Sequence, residues 1–174
     1  MKRISAYLLA LTSACGVKPT HYPHTVDRVK FESDAELLVL ANRFIATCDE
    51  ADLKCTALAN DIAGFSIKWD ESVDLADNVA YCRVQFIGDN TLSRSIYMHP
   101  VAKDYSPDEV YILVAHESAH CLLNYDHAEG DKPQLMRSFL MNQMEIDEAG
   151  GPDAVIKAAF KNPIFFLDGE EHND

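Results

Sequence analysis

At 174 residues the chain is of single-domain size, long enough to bury one sizeable core and too short for two ordinary domains. A 48% hydrophobic content with only 7 Gly and 7 Pro excludes a disordered or fibrous protein. The formal charge of -13, with 15 Lys and Arg against 28 Asp and Glu, argues against a nucleic-acid partner, which needs a concentrated basic face.

Lys2 and Arg3 precede the apolar run Ile4 to Leu11, too short to span a bilayer but suited to a signal peptide over residues 1–14. The run ends in Thr12-Ser13-Ala14-Cys15-Gly16, small residues before a cysteine that resemble a bacterial lipobox. The resemblance implies cleavage before Cys15, lipidation of its thiol, and export to the bacterial cell envelope on a membrane anchor. Thr12 stands where such boxes usually carry Leu, and plain secretion is the alternative. Residues 15–32, with Pro19 and Pro23, read as a tether. His21 and His24 within it are assigned no role.

Ser33-Asp34-Ala35-Glu36 has the form of a capping box, and Leu37, Leu40, Ala41, Phe44, Ile45 and Cys48 follow at helical spacing, which predicts an amphipathic helix over 34–48. Residues 64–69 alternate as a half-buried strand does. Val79 to Phe86 and Arg94 to His99 give two more strands, joined through Gly88-Asp89-Asn90, so a sheet of three or four strands is expected. Ser106, Pro107 and Glu109 mark a helix start three times over, and Val110 to Leu123 then runs without a breaker, apolar nearly all round. An apolar stretch around Met136 to Met144, the break Gly150-Gly151-Pro152, a short helix over 153–160 and a disordered tail over 169–174 complete the chain. Besides Cys15 there are Cys48, Cys55, Cys82 and Cys121, an even number in an oxidising compartment. Of three possible pairings we expect Cys48 with Cys55 and Cys82 with Cys121; four buried thiols are the alternative.

His116, Glu117 and His120 are the polar residues of the buried helix, and they form an HExxH motif, His116-Glu117-Ser118-Ala119-His120. One helical turn separates the histidines, so both rings leave one face and can bind a single Zn(II), with Glu117 beside a metal-bound water as general base. Such rings and a carboxylate, buried without a ligand, would be costly.

The continuation Cys121-Leu122-Leu123-Asn124-Tyr125-Asp126-His127 resembles that of the metzincin zinc peptidases, in particular the matrixin branch, where an Asp precedes the third histidine. The segment is one residue longer than the family's, and Asn124 stands where the family has Gly; Asn tolerates the left-handed conformation that stops a helix. The resemblance implies His127 as third ligand. Asp126 competes, standing ten residues after His116 as the family's ligand does, whereas His127 keeps the family distance from the helix-stopping residue, the extra residue being taken to lengthen the helix before it. Gln134-Leu135-Met136 resembles the metzincin Met-turn, and Ser138 stands where some branches carry a tyrosine.

The implied fold is metzincin-like α+β: a small twisted mixed sheet, a central HExxH helix, Met-turn and C-terminal helix over residues 33–168. Arg94 to His99 would be the edge strand that pairs with polypeptide substrate. The implied activity is endopeptidase, in a chain expected to be monomeric. Two rivals remain: a gluzincin-type hydrolase with Glu145 or Glu148 as third ligand, and a non-catalytic lipoprotein whose zinc is structural.

Overall fold

The computed structural model describes residues 20–21, 33–61, 64–76, 78–87, 91–128, 134–138, 140–161 and 163. The expected signal peptide, the Cys15 anchor, the turn Gly88 to Asn90 and the tail over 169–174 lie outside them. No helix among the described residues is long and apolar enough to cross a membrane.

The elements in chain order are β1 (Thr20–His21), α1 (Ala35–Glu50), α2 (Cys55–Asp61), β2 (Gly64–Trp69), β3 (Ala80–Ile87), β4 (Thr91–Met98), a 3-10 turn (Pro100–Asp104), α3 (Pro107–Ser118), a π turn (Ala119–Leu123), α4 (Gln143–Glu148) and α5 (Pro152–Lys161). The class is mixed α+β. The sheet order is β1-β3-β4-β2, with β2 parallel and β3 antiparallel to β4. Two residues of the expected tether, Thr20 and His21, pair with Gln85 and Phe86 at the end of β3.

Strand order corrects one expectation. Arg94 to His99 does not lie at an edge: Arg94 to Met98 belong to β4, which is flanked by β2 and β3, and His99 follows its end. The two edges differ in how they are covered. On β2, the Asp34 N–H donates to the Ile67 carbonyl, Ser33 Oγ accepts the Ile67 N–H, and Asp34 Oδ2 accepts the Trp69 N–H. The capping-box residues thus serve the strand instead of their own helix, and Asp34 makes no side-chain cap. β3 carries a described strand only at Gln85 and Phe86, so along Ala80 to Val84 its outer side faces no described strand.

Helices α1 and α3 pack on the sheet. Ile67, Cys82, Ile96 and Met98 meet Leu37 and Ala41 of α1 and Val114 of α3 in one apolar cluster. A second cluster forms on the far side of α3, where Tyr111, Ile112 and Ala115 meet Phe44, Ile146, Ile156 and Phe160. The near-absence of a polar face on α3 is explained by this position between two cores. Cys48 sits at disulfide distance from Cys55, closing the end of α1, and Cys82 from Cys121, tying β3 to the π turn, with Cα separations of 5.8 and 5.6 Å.

Candidate metal centre

The start of α3 is fixed by all three of its sequence signals: Ser106 Oγ accepts the Glu109 N–H at 3.2 Å, Glu109 accepts the Ser106 N–H at 2.8 Å, and Pro107 occupies the first turn. Twelve residues of regular helix then bring His116 and Glu117 to its end. His120 lies in the π turn, where the Asn124 N–H returns five residues to the Ala119 carbonyl. Here the second expectation is corrected. The stretch from Ala119 to Leu123, expected to continue the regular helix, winds as a π turn instead. Asn124 is left-handed, φ 55° and ψ 38°, as its role of helix stop requires.

Beyond that stop the chain reverses and places His127 against the two helical rings. His116 Nε2 lies 3.0 Å from His120 Nε2 and 3.3 Å from His127 Nε2. The three residues form a group whose nitrogens all lie within 4.8 Å of one another. Tautomers follow from the opposite side of each helical ring. His116 Nδ1 is 2.7 Å from the Leu135 carbonyl and His120 Nδ1 is 2.6 Å from the Tyr125 carbonyl. A carbonyl only accepts, so each Nδ1 carries the proton and each neutral ring turns its Nε2 lone pair inward. Lone pairs facing at 3 Å repel unless a cation takes both. Protonation is opposed: burial first, then the neighbouring rings, hold His116 down to about 3, and burial holds His120 down to about 4. His127 is lowered too, again by burial, against the pull of Asp126.

Glu117 is buried beside them. Burial pushes its carboxyl up to about 8, opposed by a hydrogen bond from the Cys82 N–H. Its Oε2 is buried with no hydrogen-bond partner among the described residues. The donor on Cys82 reflects strand geometry: the His99 N–H donates to the Val79 carbonyl, so by antiparallel alternation the main-chain groups of Ala80, Cys82 and Val84 point away from β4.

Compared with protein-family models, with curated proteins and with solved structures, the chain finds no match. Geometry alone therefore has to discriminate among the residues named from sequence. His116, His120 and His127 come together; Asp126 does not join them, and its Oδ1 accepts the His127 N–H at 2.7 Å. Glu145 is engaged by both Arg137 nitrogens at 2.9 and 2.6 Å and accepts the Asn142 N–H, and neither it nor the exposed Glu148 enters the group. Leu135 and Met136 form a buried turn whose two carbonyls hold the centre: Leu135 on His116, and Met136 on the Ala128 N–H at 2.6 Å. Ser138 is exposed. Sequence reasoning missed the carbonyls of Leu135 and Tyr125 and the amide of Cys82, since main-chain groups leave no signal in residue type.

Proposed function

We propose that the chain is a zinc-dependent peptidase of the metzincin type, acting as an endopeptidase on extended polypeptide and exported on a lipid anchor at Cys15. The observation that carries this reading is the convergence of the three Nε2 atoms, two of them with their tautomer fixed by a carbonyl. Zinc bound at 2.0–2.1 Å in a tetrahedral site sets its ligand nitrogens about 3.3 Å apart. The observed 3.0 and 3.3 Å fit that spacing. Three histidines are the protein donor count of catalytic zinc, whereas structural zinc takes four, and the described residues add no fourth to the group.

A zinc ion held there would supply a Lewis acid toward the scissile carbonyl and lower the pKa of a water to about 7. The chain's own residues supply the rest. Glu117 has one carboxylate oxygen held by the Cys82 amide and the other, Oε2, available to take a proton and hand it to the departing amine. A neighbouring dication favours the ionised carboxylate and opposes the effect of burial. The outward main-chain groups of Ala80 and Val84 can pair with an extended substrate, while the outward N–H of Cys82 between them holds the general base, so substrate and base share one frame.

The deciding experiment measures zinc content and casein cleavage of wild type and Glu117→Gln together. We expect zinc in both and a loss of cleavage of about 10²- to 10⁴-fold in the variant, the usual range for general acid–base catalysis. Equal cleavage by the two would sink the mechanism. Zinc without cleavage by the wild type would leave a zinc-binding lipoprotein instead.

A further inference from the structure

One charged side chain outside the ligand set reaches the segment that joins His120 to His127. Arg94 lies on β4 opposite Val84, and its Nη1 donates to the carbonyl of Cys121. Its Nε is buried without a hydrogen-bond partner among the described residues. The ion pairs found among those residues use Arg43, Arg137 and Lys157, and none includes Arg94. A part-buried cation with no carboxylate among the described residues needs another source of negative potential. The end of the metal-bearing helix provides it, through carbonyls that have no later amide and the negative end of the helix dipole.

The choice of Cys121 is informative because the segment has two ways to wind. If α-helix continued, the Cys121 carbonyl would take the N–H of residue 125. Each residue would also be rotated by about 100° relative to the one before, swinging His127 away from the other rings. In the observed π turn the Tyr125 N–H goes to Ala119 at 3.3 Å, as does that of Asn124, and the Cys121 carbonyl is left to Arg94. The Arg94 contact therefore exists in one winding and is redundant in the other. Cys121 is also tied to Cys82 through its sulfur, so the residue directly after His120 is held from both β3 and β4.

We propose that Arg94 is a positioning residue of the metal centre: by capping the Cys121 carbonyl it selects the widened turn that brings His127 onto His116 and His120. This rests on the metal-centre reading above. The test uses the full chain, the zinc dissociation constant by chelator competition well below the melting temperature, and the visible spectrum of the cobalt(II)-loaded protein. Arg94→Met should weaken zinc binding by about ten- to a hundred-fold, the usual effect of losing a group that orients a ligand. Its cobalt spectrum should move toward that of His127→Ala, and Arg94→Lys should recover part of the affinity. In a His127→Ala background, Arg94→Met should cost little more, because the effect runs through the third ligand. If Arg94→Met fails to fold, Arg94→Gln, uncharged and too short to reach Cys121, takes its place under the same criteria. Affinity equal to wild type, or an equal loss in the presence and absence of His127, would overturn the assignment. A wild-type chain that binds no zinc would remove the metal-centre reading itself, and that failure shows before any Arg94 variant is made.

Discussion

His127 and Asp126 are neighbours that compete for one role, and the fold gives them different work: the ring faces His116 while the carboxylate accepts the amide of His127. His127→Ala should therefore lose most of the zinc affinity. Asp126→Asn should keep it, since the amide oxygen of Asn can still accept that N–H. Zinc titration of both decides, and loss in Asp126→Asn with retention in His127→Ala would move the third ligand by one residue. The same side chains fix a pH dependence for the metal-stripped protein. His116 and His120 fall from 6.5 to about 3 and about 4 on folding, so below pH 6.5 the unfolded chain binds protons that the folded site refuses. Their contribution is complete above pH 6.5 and is lost as pH falls toward 4. Glu117 runs the other way. Raised from 4.5 to about 8, it contributes stability below pH 4.5 that is lost as pH rises through 8. Two rings outweigh one carboxyl, so stability should climb from pH 4.5 to 6.5 and decline from 6.5 to 8. Urea unfolding at pH 5, 6.5 and 8 checks this; Glu117→Gln should abolish the alkaline decline, and a flat wild-type profile would refute the scheme.

At the scale of elements, α3 was the most legible part of the chain, because its start is written in side chains that cap it and its interior in an unbroken apolar run. The HExxH spacing likewise carries its own geometry, since four residues is one turn. The π turn was not legible: the residues from Ala119 to Leu123 would read the same in an α-helix, and the widening shows only in where the Asn124 amide goes. Strand order was hidden for a similar reason. Val79 to Phe86 and Arg94 to His99 alternate alike, and pairing alone leaves Ala80 to Val84 with no described outer strand and makes the second central. Ser33 and Asp34 carried a genuine capping signal that the uncovered amides of β2 captured. Where the turn does leave a mark in sequence is Asn124, and it predicts a graded series. Asn124→Gly should keep zinc and stability, because Gly adopts positive φ without a Cβ penalty. Asn124→Val should cost about 1–2 kcal/mol in urea unfolding, the cost of a left-handed residue with a Cβ, and weaken zinc binding by moving His127. Equal zinc affinity in both variants would show that the stop does not set the ligand.

At the scale of the molecule, the described residues form two apolar clusters on either side of α3, and the disulfides Cys48–Cys55 and Cys82–Cys121 stand in unequal relation to that arrangement. Cys48–Cys55 spans 7 residues within the α1–α2 corner, whereas Cys82–Cys121 spans 39 and joins the sheet to the π turn that follows α3. If cross-links act mainly by restricting the unfolded chain, the short loop is worth about 2 kcal/mol and the long one about 4. The difference should be larger still at the candidate site, because Cys121 follows His120 and the amide of Cys82 holds Glu117, while Cys48 and Cys55 meet that site only through the apolar cluster they share with Tyr125 and Leu135. Replacing Cys82 and Cys121 together by Ala should thus lower stability by about 4 kcal/mol and reduce both zinc affinity and turnover. Replacing Cys48 and Cys55 should lower stability by about 2 kcal/mol and leave zinc binding and kcat per folded molecule unchanged. Urea unfolding, chelator competition and peptide cleavage on the two double variants separate the cases. If both pairs altered zinc affinity equally, the cross-link between β3 and the π turn would be a staple of the fold with no particular hold on the metal centre.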